Sequence, residues 1–522
     1  MVKRFTDLTP LPAPSQHLGS GPRRYQHPVY VEQQAPCNHS CQAGEDIRGW
    51  LALAQTGAYQ DAFNKLVEIN PFPAIHGRVC YHPCESACNR NALDATVSIH
   101  AVERFLGDLA LTQGWPLPMP VKSTGKRVLV VGAGPAGLSA AYHLARQGHT
   151  VEIHESGNVA GGMMMFGIPA YRLPRDLLQA EISRVLAVGV TLRLNQRVDD
   201  VLTTRDEGRF DAVFVGIGAH LSKKSELPAS DAVKVLDALQ LLKGAESHAD
   251  QPLLGRKVVV YGGGNTAMDS ARTAKRLGAD DIMIVYRRDR AHMPAHAFEL
   301  EEALAEGVQM RWLTAIHDLE PYRLQVEQIT LDAHGKPQPT GVYEEVPADA
   351  LVLAIGQESD AAFLKQVPGI VFDRQGLLAV DAQWMTGHAG IFAGGDMVTS
   401  TRTVTHAVGL GRKAANAMHA WLMAGNSAAD SSENNPADKS HGPKQKMAGH
   451  AALHLPLFTD TAIAEQPHRS IAERTHDFGE IVGGLNEAQA RYEAQRCLSC
   501  GKCYECDNCF AACPQQAIVK LG

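Results

Sequence analysis

Apolar residues along this 522-residue chain recur with two different periods, and the period changes in blocks. From about residue 44 to 112 they return every three or four positions, as in EDIRGWLALAQTGAYQDAFNKLVEI, which predicts helices interrupted at Pro71 and Pro73. A proline-containing linker near 113–124 closes that block. Then KRVLVVGAGPAGLSAAYHLARQG, from Lys126, reads as a buried strand, a glycine turn and a helix; RKVVVYGGGNTAMDSARTAKRLG, from Arg256, repeats the plan. Residues 1–35 are rich in Pro and Gly and read as an extended arm. Residues 425–448 hold almost no large apolar side chain, so they cannot offset the entropy of ordering a chain and read as a flexible linker. Beyond them LNEAQARYEAQ reads as a helix ahead of RCLSCGKCYECDNCFAACPQQAIVKLG.

The two glycine turns carry the first chemistry. Gly132, Gly134 and Gly137 form G-x-G-x-x-G directly after the strand Val128–Val131. The first glycine permits the turn, the second lets backbone approach a pyrophosphate, and the third lets the helix pack closely. Glu155 ends the next strand, TVEIHE, in place for a ribose hydroxyl. Later, GIFAGGDMVTSTRTVTHAVGLGRKAA resembles the second FAD fingerprint of two-dinucleotide flavoproteins, with Asp396 for the ribityl chain and a helix start for the flavin ring. FAD is therefore expected at Gly132, Gly134, Gly137, Glu155, Gly162, Gly395, Asp396, Thr403 and Val404. The second turn, Gly262, Gly264 and Ala267 with Asn265, is followed after the strand DIMIVY by Arg287 and Arg288. An NAD site normally carries an acid there, whereas guanidinium groups suit a 2′-phosphate, so NADP is favoured over NAD. A solvated surface pair is the alternative.

Composition narrows the compartment. The chain is 45% hydrophobic and 20% charged, with room for about three or four domains. A net charge of −7 gives no long-range pull towards nucleic acid or anionic membranes. No apolar run approaches the ~20 residues of a membrane span, and MVKRFTDLTPLPAPS lacks the apolar stretch of a secretion signal, so a cytoplasmic protein is expected. In a reducing compartment eleven clustered cysteines read as metal ligands before disulfides. Cys503-x2-Cys506-x2-Cys509-x3-Cys513-Pro has the bacterial ferredoxin spacing for a 4Fe–4S cluster, with zinc as the competing reading. At the other end stand Cys37, Cys41, Cys80, Cys84 and Cys88, with buried structural thiols as the alternative. No cysteine lies between Cys88 and Cys497, so no redox dithiol is carried inside a nucleotide fold.

With these motifs assembled, the chain resembles the glutamate synthase small (β) subunit family, which also includes the electron-entry half of dihydropyrimidine dehydrogenase. The resemblance runs from about residue 36 to 422, on GRVCYHPCESACNR, VERF, VGAGPAGLSAA, GIPAYRLP, GGGNTAMDSART, YRRDRAHMP and FAGGD. It implies an α/β protein with two Rossmann-like domains, for FAD and NAD(P)H, preceded by an α-helical iron–sulfur domain and followed by a small ferredoxin-like segment. The expected limits are 1–120 for the arm and helical domain, 121–248 and 371–424 for FAD, 249–370 for NAD(P)H, 425–448 for the linker and 449–522 for the ferredoxin-like segment. GIPAYRLP has no role derivable from its chemistry alone. The family opens its cluster region with an Arg-Cys-Leu-x-Cys-Gly pair that is missing ahead of Cys37; the same words recur at Arg496–Gly501. Carrying over the family's ligand roles, one cluster takes Cys37, Cys88, Cys497 and Cys500. A second takes Cys41, Cys80 and Cys84 with Glu103, unless Glu103 is an ordinary helix-surface or ion-paired carboxylate. The third takes Cys503, Cys506, Cys509 and Cys513.

The implied function is an NAD(P)H:acceptor oxidoreductase that passes electrons between NADPH, FAD and three expected 4Fe–4S clusters, with no side chain needed as nucleophile. Its expected partner is a protein acceptor or donor, either a large catalytic subunit or a ferredoxin, in a hetero-oligomer; a 2-oxoacid oxidoreductase is one candidate. The rivals are a self-contained flavoenzyme acting on a small organic molecule and a non-catalytic assembly subunit. Replacing Arg287 and Arg288 with alanine should lower the NADPH-to-NADH ratio of kcat/KM by about tenfold or more per lost charge-assisted contact. An unchanged ratio rejects the 2′-phosphate assignment.

Overall fold

The computed structural model describes residues 33–120, 122–223, 233–246, 254–425, 446–453 and 459–501. Each glycine turn sits at the carboxyl end of a five-stranded, wholly parallel sheet. The first sheet runs Ile391–Ala393, Ala212–Val215, Arg127–Val131, Thr150–His154, Thr191–Arg193. The second runs Lys234–Asp237, Ala350–Leu353, Lys257–Tyr261, Asp281–Val285, Gln309–Arg311. Continuous apolar strands such as Val128–Val131 suit this layout, because a central parallel strand is covered by helices on both faces. A three-stranded antiparallel sheet, Thr314–Glu320, Arg323–Leu331 and Pro337–Pro347, is inserted into the second unit. No helix of the described residues is long and apolar enough to cross a membrane.

The helical block packs Ile47–Gln55, Tyr59–Val67 and Ile99–Thr112 around Trp50, Leu51, Leu66 and Leu106, with Pro73–Val79 laid against Ile99–Thr112. Two glycines decide how its last pair crosses. A Cβ on Gly107 would lie 2.2 Å from the Ala74 amide nitrogen, and one on Gly77 would lie 2.5 Å from Arg104 Cα. The helices therefore meet backbone to backbone, which carries Cys80, at the end of the first, to the neighbourhood of Glu103 on the second.

Three expected limits move. The strand Lys234–Asp237 and the helix Ala238–Glu246 belong to the second sheet, so the chain crosses over before residue 233, not at 249. It returns through Gln357–Glu358, paired antiparallel with Leu221–Ser222, and Ala361, Leu364 and Val367 already pack with Val213 and Ile391 of the first unit, ahead of 371. Both crossings are two-residue strands, too short for a periodic pattern to mark them, although Gly218 and Gly356 with positive φ precede them. The segment from 449 does not stand apart: the Glu487–Gln495 helix packs on Ile47–Gln55 and Ile99–Thr112, and Ala494 enters the helical core. Residues 1–32, and 426–445 of the expected linker, lie outside the described residues.

GIPAYRLP gains its role here. Arg172 reaches from the first unit to Asp269 (2.8 and 3.0 Å) and Glu299 of the second, both carboxylates buried. Beside it the Tyr171 ring lies under the guanidinium groups of Arg276 and Arg272, at 3.8 and 4.9 Å. Those arginines share Glu306, which Arg474 of the C-terminal chain also approaches at 3.4 Å. Burial pushes the Glu299 carboxyl up to about 7, against the pull of Arg172. Arg172→Met therefore strands two buried carboxylates and should lower stability by about 3–5 kcal/mol. Denaturation of the variant, and of a triple variant adding D269N and E299Q, measures this; the triple variant should recover much of the loss.

Candidate functional site

The turn after Val131 is built from approaches that only glycine allows. Gly132 has a φ of 99°, and a Cβ there would lie 2.7 Å from the Gly216 carbonyl oxygen. A Cβ on Gly137 would lie 1.9 Å from the Gly132 oxygen, so the Pro135–Arg146 helix begins against the turn itself. Gly134, just before that helix, faces Gly162. The free amides at the helix start form an anion seat. Glu155 is fixed at its rim, accepting the Ala133 amide at 2.8 Å and the Gly157 amide at 2.7 Å. Gly395, with φ of 77°, brings Asp396 in from the other side, and a Cβ on Gly395 would meet Ala136 Cβ at 2.9 Å. Asp396 accepts no hydrogen bond from the described residues, and burial pushes its carboxyl up to about 6 against the pull of Arg402. An acceptor lacking a donor in that position fits a ligand hydroxyl. Thr403 caps the Val404–Met423 helix by accepting the His406 amide at 3.1 Å, and donates to Gln42 Oε1 at 2.7 Å.

At the second turn Gly262 has a φ of 153°, and a Cβ there would lie 2.3 Å from the Ala354 oxygen. Above Gly264 there is open space where the Asn265–Arg276 helix starts, and Ala267 is buried against the sheet. Arg287 is exposed and Arg288 half-buried beyond the carboxyl end of Asp281–Val285; Arg288 Nε is a buried donor with no partner among the described residues. Tyr81 is a participant that periodicity and spacing did not single out. Its hydroxyl accepts Asn265 Nδ2 at 2.7 Å and its ring stacks on His296 at 3.7 Å. Since Tyr81 follows Cys80, the cysteine loop is tied to the start of the second dinucleotide helix.

Cys37, Cys88, Cys497 and Cys500 line one pocket, closed by apolar side chains including Leu51, Val97 and Ile99. The two chain ends are stitched together there. The Gln33 amide donates to the Gly501 oxygen at 3.1 Å, Arg48 Nη1 to the Cys500 oxygen at 2.8 Å, and Asn89 Nδ2 to the Ala448 oxygen at 2.6 Å. The arginine of RCLSCG, Arg496, is buried and holds Glu493, Thr96 and Ala95. Burial and the neighbouring thiols push Cys37 well up, and burial drives Cys497 to about 12. Donors already aim at the sulfurs: the Ser499 amide at Cys497 Sγ (3.5 Å) and Asn89 Nδ2 at Cys500 Sγ (3.4 Å). Buried thiols that repel one another yet are offered donors fit a site holding iron cations.

Cys41, Cys80 and Cys84 form the second group; burial raises all three thiols, and the charge of Glu103 adds to it. The His82 amide, in a residue with φ of 38°, donates to Cys80 Sγ at 3.3 Å. Glu103 is 6% exposed, and its carboxyl is pushed well up by burial and by Glu45. Asn70 Nδ2 donates to both carboxylates, at 2.8 Å to Glu103 and 3.0 Å to Glu45, while His76 Nδ1 lies 3.7 Å from each. Glu45, Asn70 and His76 form a cage that no spacing rule revealed, since they come from three separate elements. Cys503, Cys506, Cys509 and Cys513 lie outside the described residues. Replacing Cys497 and Cys500 together with alanine should remove about four irons per chain and leave the FAD content intact, by iron analysis and flavin absorbance.

Residues 126–411 match the family model for pyridine nucleotide-disulphide oxidoreductases, and residues 31–115 match that for dihydropyrimidine dehydrogenase domain II, a 4Fe-4S cluster domain. The chain is 34% identical to the NADP(+)-dependent formate dehydrogenase subunit beta of Moorella thermoacetica, over 89% of this chain and 70% of that one. It is 30% identical to the NADPH-Fe(3+) oxidoreductase subunit beta of Geobacter sulfurreducens, over 91% and 76%. It is 33% identical to the glutamate synthase (NADPH) small chain of Escherichia coli K12, over 74% and 88%. The chain belongs to the pyridine nucleotide-disulphide oxidoreductase family, as an NAD(P)H-dependent electron-transfer subunit with FAD and iron–sulfur sites.

Proposed function

We propose that the chain conducts electrons between NADPH and the catalytic subunit of a larger oxidoreductase, through FAD and three 4Fe–4S clusters in series. The observation that carries this reading is the pooling of Cys37 and Cys88 with Cys497 and Cys500 in one pocket, next to the group of Cys41, Cys80 and Cys84. When bound, FAD supplies the exchange between two-electron and one-electron chemistry and the clusters supply one-electron conduction.

The chain's own residues do the rest. Gly132, Gly134, Gly137, Gly162 and Gly395 clear the backbone for the FAD pyrophosphate and ribityl chain, with Glu155 and Asp396 as acceptors. The helix start at Thr403-Val404 turns its positive end to the flavin. Gly262, Gly264, Asn265 and Ala267 seat the NADPH pyrophosphate, and Arg287 and Arg288 receive the 2′-phosphate. The ligand sets are Cys37, Cys88, Cys497 and Cys500; Cys41, Cys80, Cys84 and Glu103; and Cys503, Cys506, Cys509 and Cys513. Gln42, bonded to Thr403, adjoins Cys41, so the second set lies nearest the flavin helix. Cys503 follows Cys500 by three residues in the sequence.

Relatives named as small or beta subunits support a hetero-oligomer, and the partner is its large catalytic subunit. Anaerobic NADPH should bleach the flavin absorbance and then raise cluster signals in electron paramagnetic resonance, with about twelve irons per chain. Bleaching without any cluster signal rejects the electron path; about four irons rejects three clusters.

A further inference from the structure

We propose that Thr405 tunes the iron–sulfur centre nearest the flavin, by donating a hydrogen bond from its hydroxyl to the Cys80 sulfur. This rests on the reading of Cys80 as a cluster ligand.

Thr405 is the second residue of the Val404–Met423 helix, which starts beside the expected flavin position. So close to the helix start, the hydroxyl has no carbonyl of its own helix one turn back to bond. The residue is 3% exposed, and its hydroxyl has no partner among the described residues. Gly409, one turn on and on the same face, shows where that face points. A Cβ on Gly409 would lie 2.4 Å from the Gln42 oxygen and 3.0 Å from Ala43 Cα, directly after Cys41. The same helix packs against Pro73–Val79, whose C-terminal cap is Cys80. The Thr405 hydroxyl is close enough to the Cys80 sulfur to favour its thiolate, without meeting the geometry of a hydrogen bond to the thiol.

A buried hydroxyl without an acceptor is costly, and a neutral thiol accepts weakly. A ligating sulfur is a strong acceptor, so Cys80 as a cluster ligand would give the buried donor its partner. Cys80 Sγ then receives two donors, the His82 amide of its own loop and the Thr405 hydroxyl of the Val404–Met423 helix. Each such bond favours the reduced, more negative centre and raises its potential. One side chain thereby couples the helix that faces the flavin to the first acceptor beyond it.

Thr405→Val keeps the shape and deletes the donor; Thr405→Ser restores it. In redox titrations of the full chain followed by electron paramagnetic resonance, Thr405→Val should keep its iron and FAD while one cluster midpoint moves to lower potential. Thr405→Ser should return that midpoint to the wild-type value. A Thr405→Val protein with full iron and unmoved midpoints overturns the proposal and leaves the ligand reading standing. Iron lost from both variants also overturns it, since the residue then only packs; iron lost from Val and regained in Ser, with the midpoint restored, supports it. Cys80→Ala with full iron and every cluster signal retained sinks the ligand reading itself.

Discussion

A thiolate placed in an apolar interior needs positive charge beside it, and that constraint organises both ends of this chain. Burial raises the thiols of Cys37, Cys41 and Cys84 and drives Cys80 and Cys497 to about 12. Such groups stay protonated alone and become ligands only where cations gather them. The backbone has been shaped to that end. His82 and Ser499 take left-handed conformations inside two cysteine turns, and their amides point at the sulfurs of Cys80 and Cys497. Gly77 and Gly107 let two helices touch so that Cys80 and Glu103 share a neighbourhood.

The same economy of backbone contact joins the iron–sulfur domain to the flavin fold. The Val404–Met423 helix presents Gly411 to Ala136 of the first dinucleotide turn, where a Cβ would lie 2.3 Å from the Ala136 oxygen. It presents Gly409 to the residues after Cys41. One helix is thus the wall shared by the first dinucleotide turn and the loop after Cys41, and side chains larger than hydrogen would force the two apart. Tyr81 and the Arg172 network perform the matching task for the second dinucleotide fold, with polar contacts in place of glycines. A buried guanidinium needs both its carboxylates, so the orientation of the two sheets is specified by charge as well as by shape.

Much of the fold was legible because its signals are local. Strand, glycine turn and helix follow one another without interruption over Arg127–Arg146 and again over Lys257–Arg276, and each is forced by sterics and hydrogen bonding inside that window. The chain crossings near residues 233 and 357 were not legible, because a four-residue strand such as Lys234–Asp237 has no local feature that names its sheet. Tyr81, Asn70, His76 and Glu45 escaped for a related reason: each is unremarkable among its sequence neighbours and acquires meaning only from residues on other elements.

By itself the sequence determined the types of chemistry present: two dinucleotide turns, an acid and an arginine pair beside them, and cysteines confined to the two ends, one group missing a leading pair. Those follow from residue identity and short spacing, where the covalent chain does the placing. The resemblance led to the expectation that Cys497 and Cys500 join Cys37 and Cys88, and the tertiary structure lines one pocket with all four; only that structure decided that the C-terminal helix completes the helical core and that GIPAYRLP clamps the two sheets together. These contacts join residues up to hundreds of positions apart. Chain connectivity says nothing about them; packing of the helical core and pairing of buried charge do.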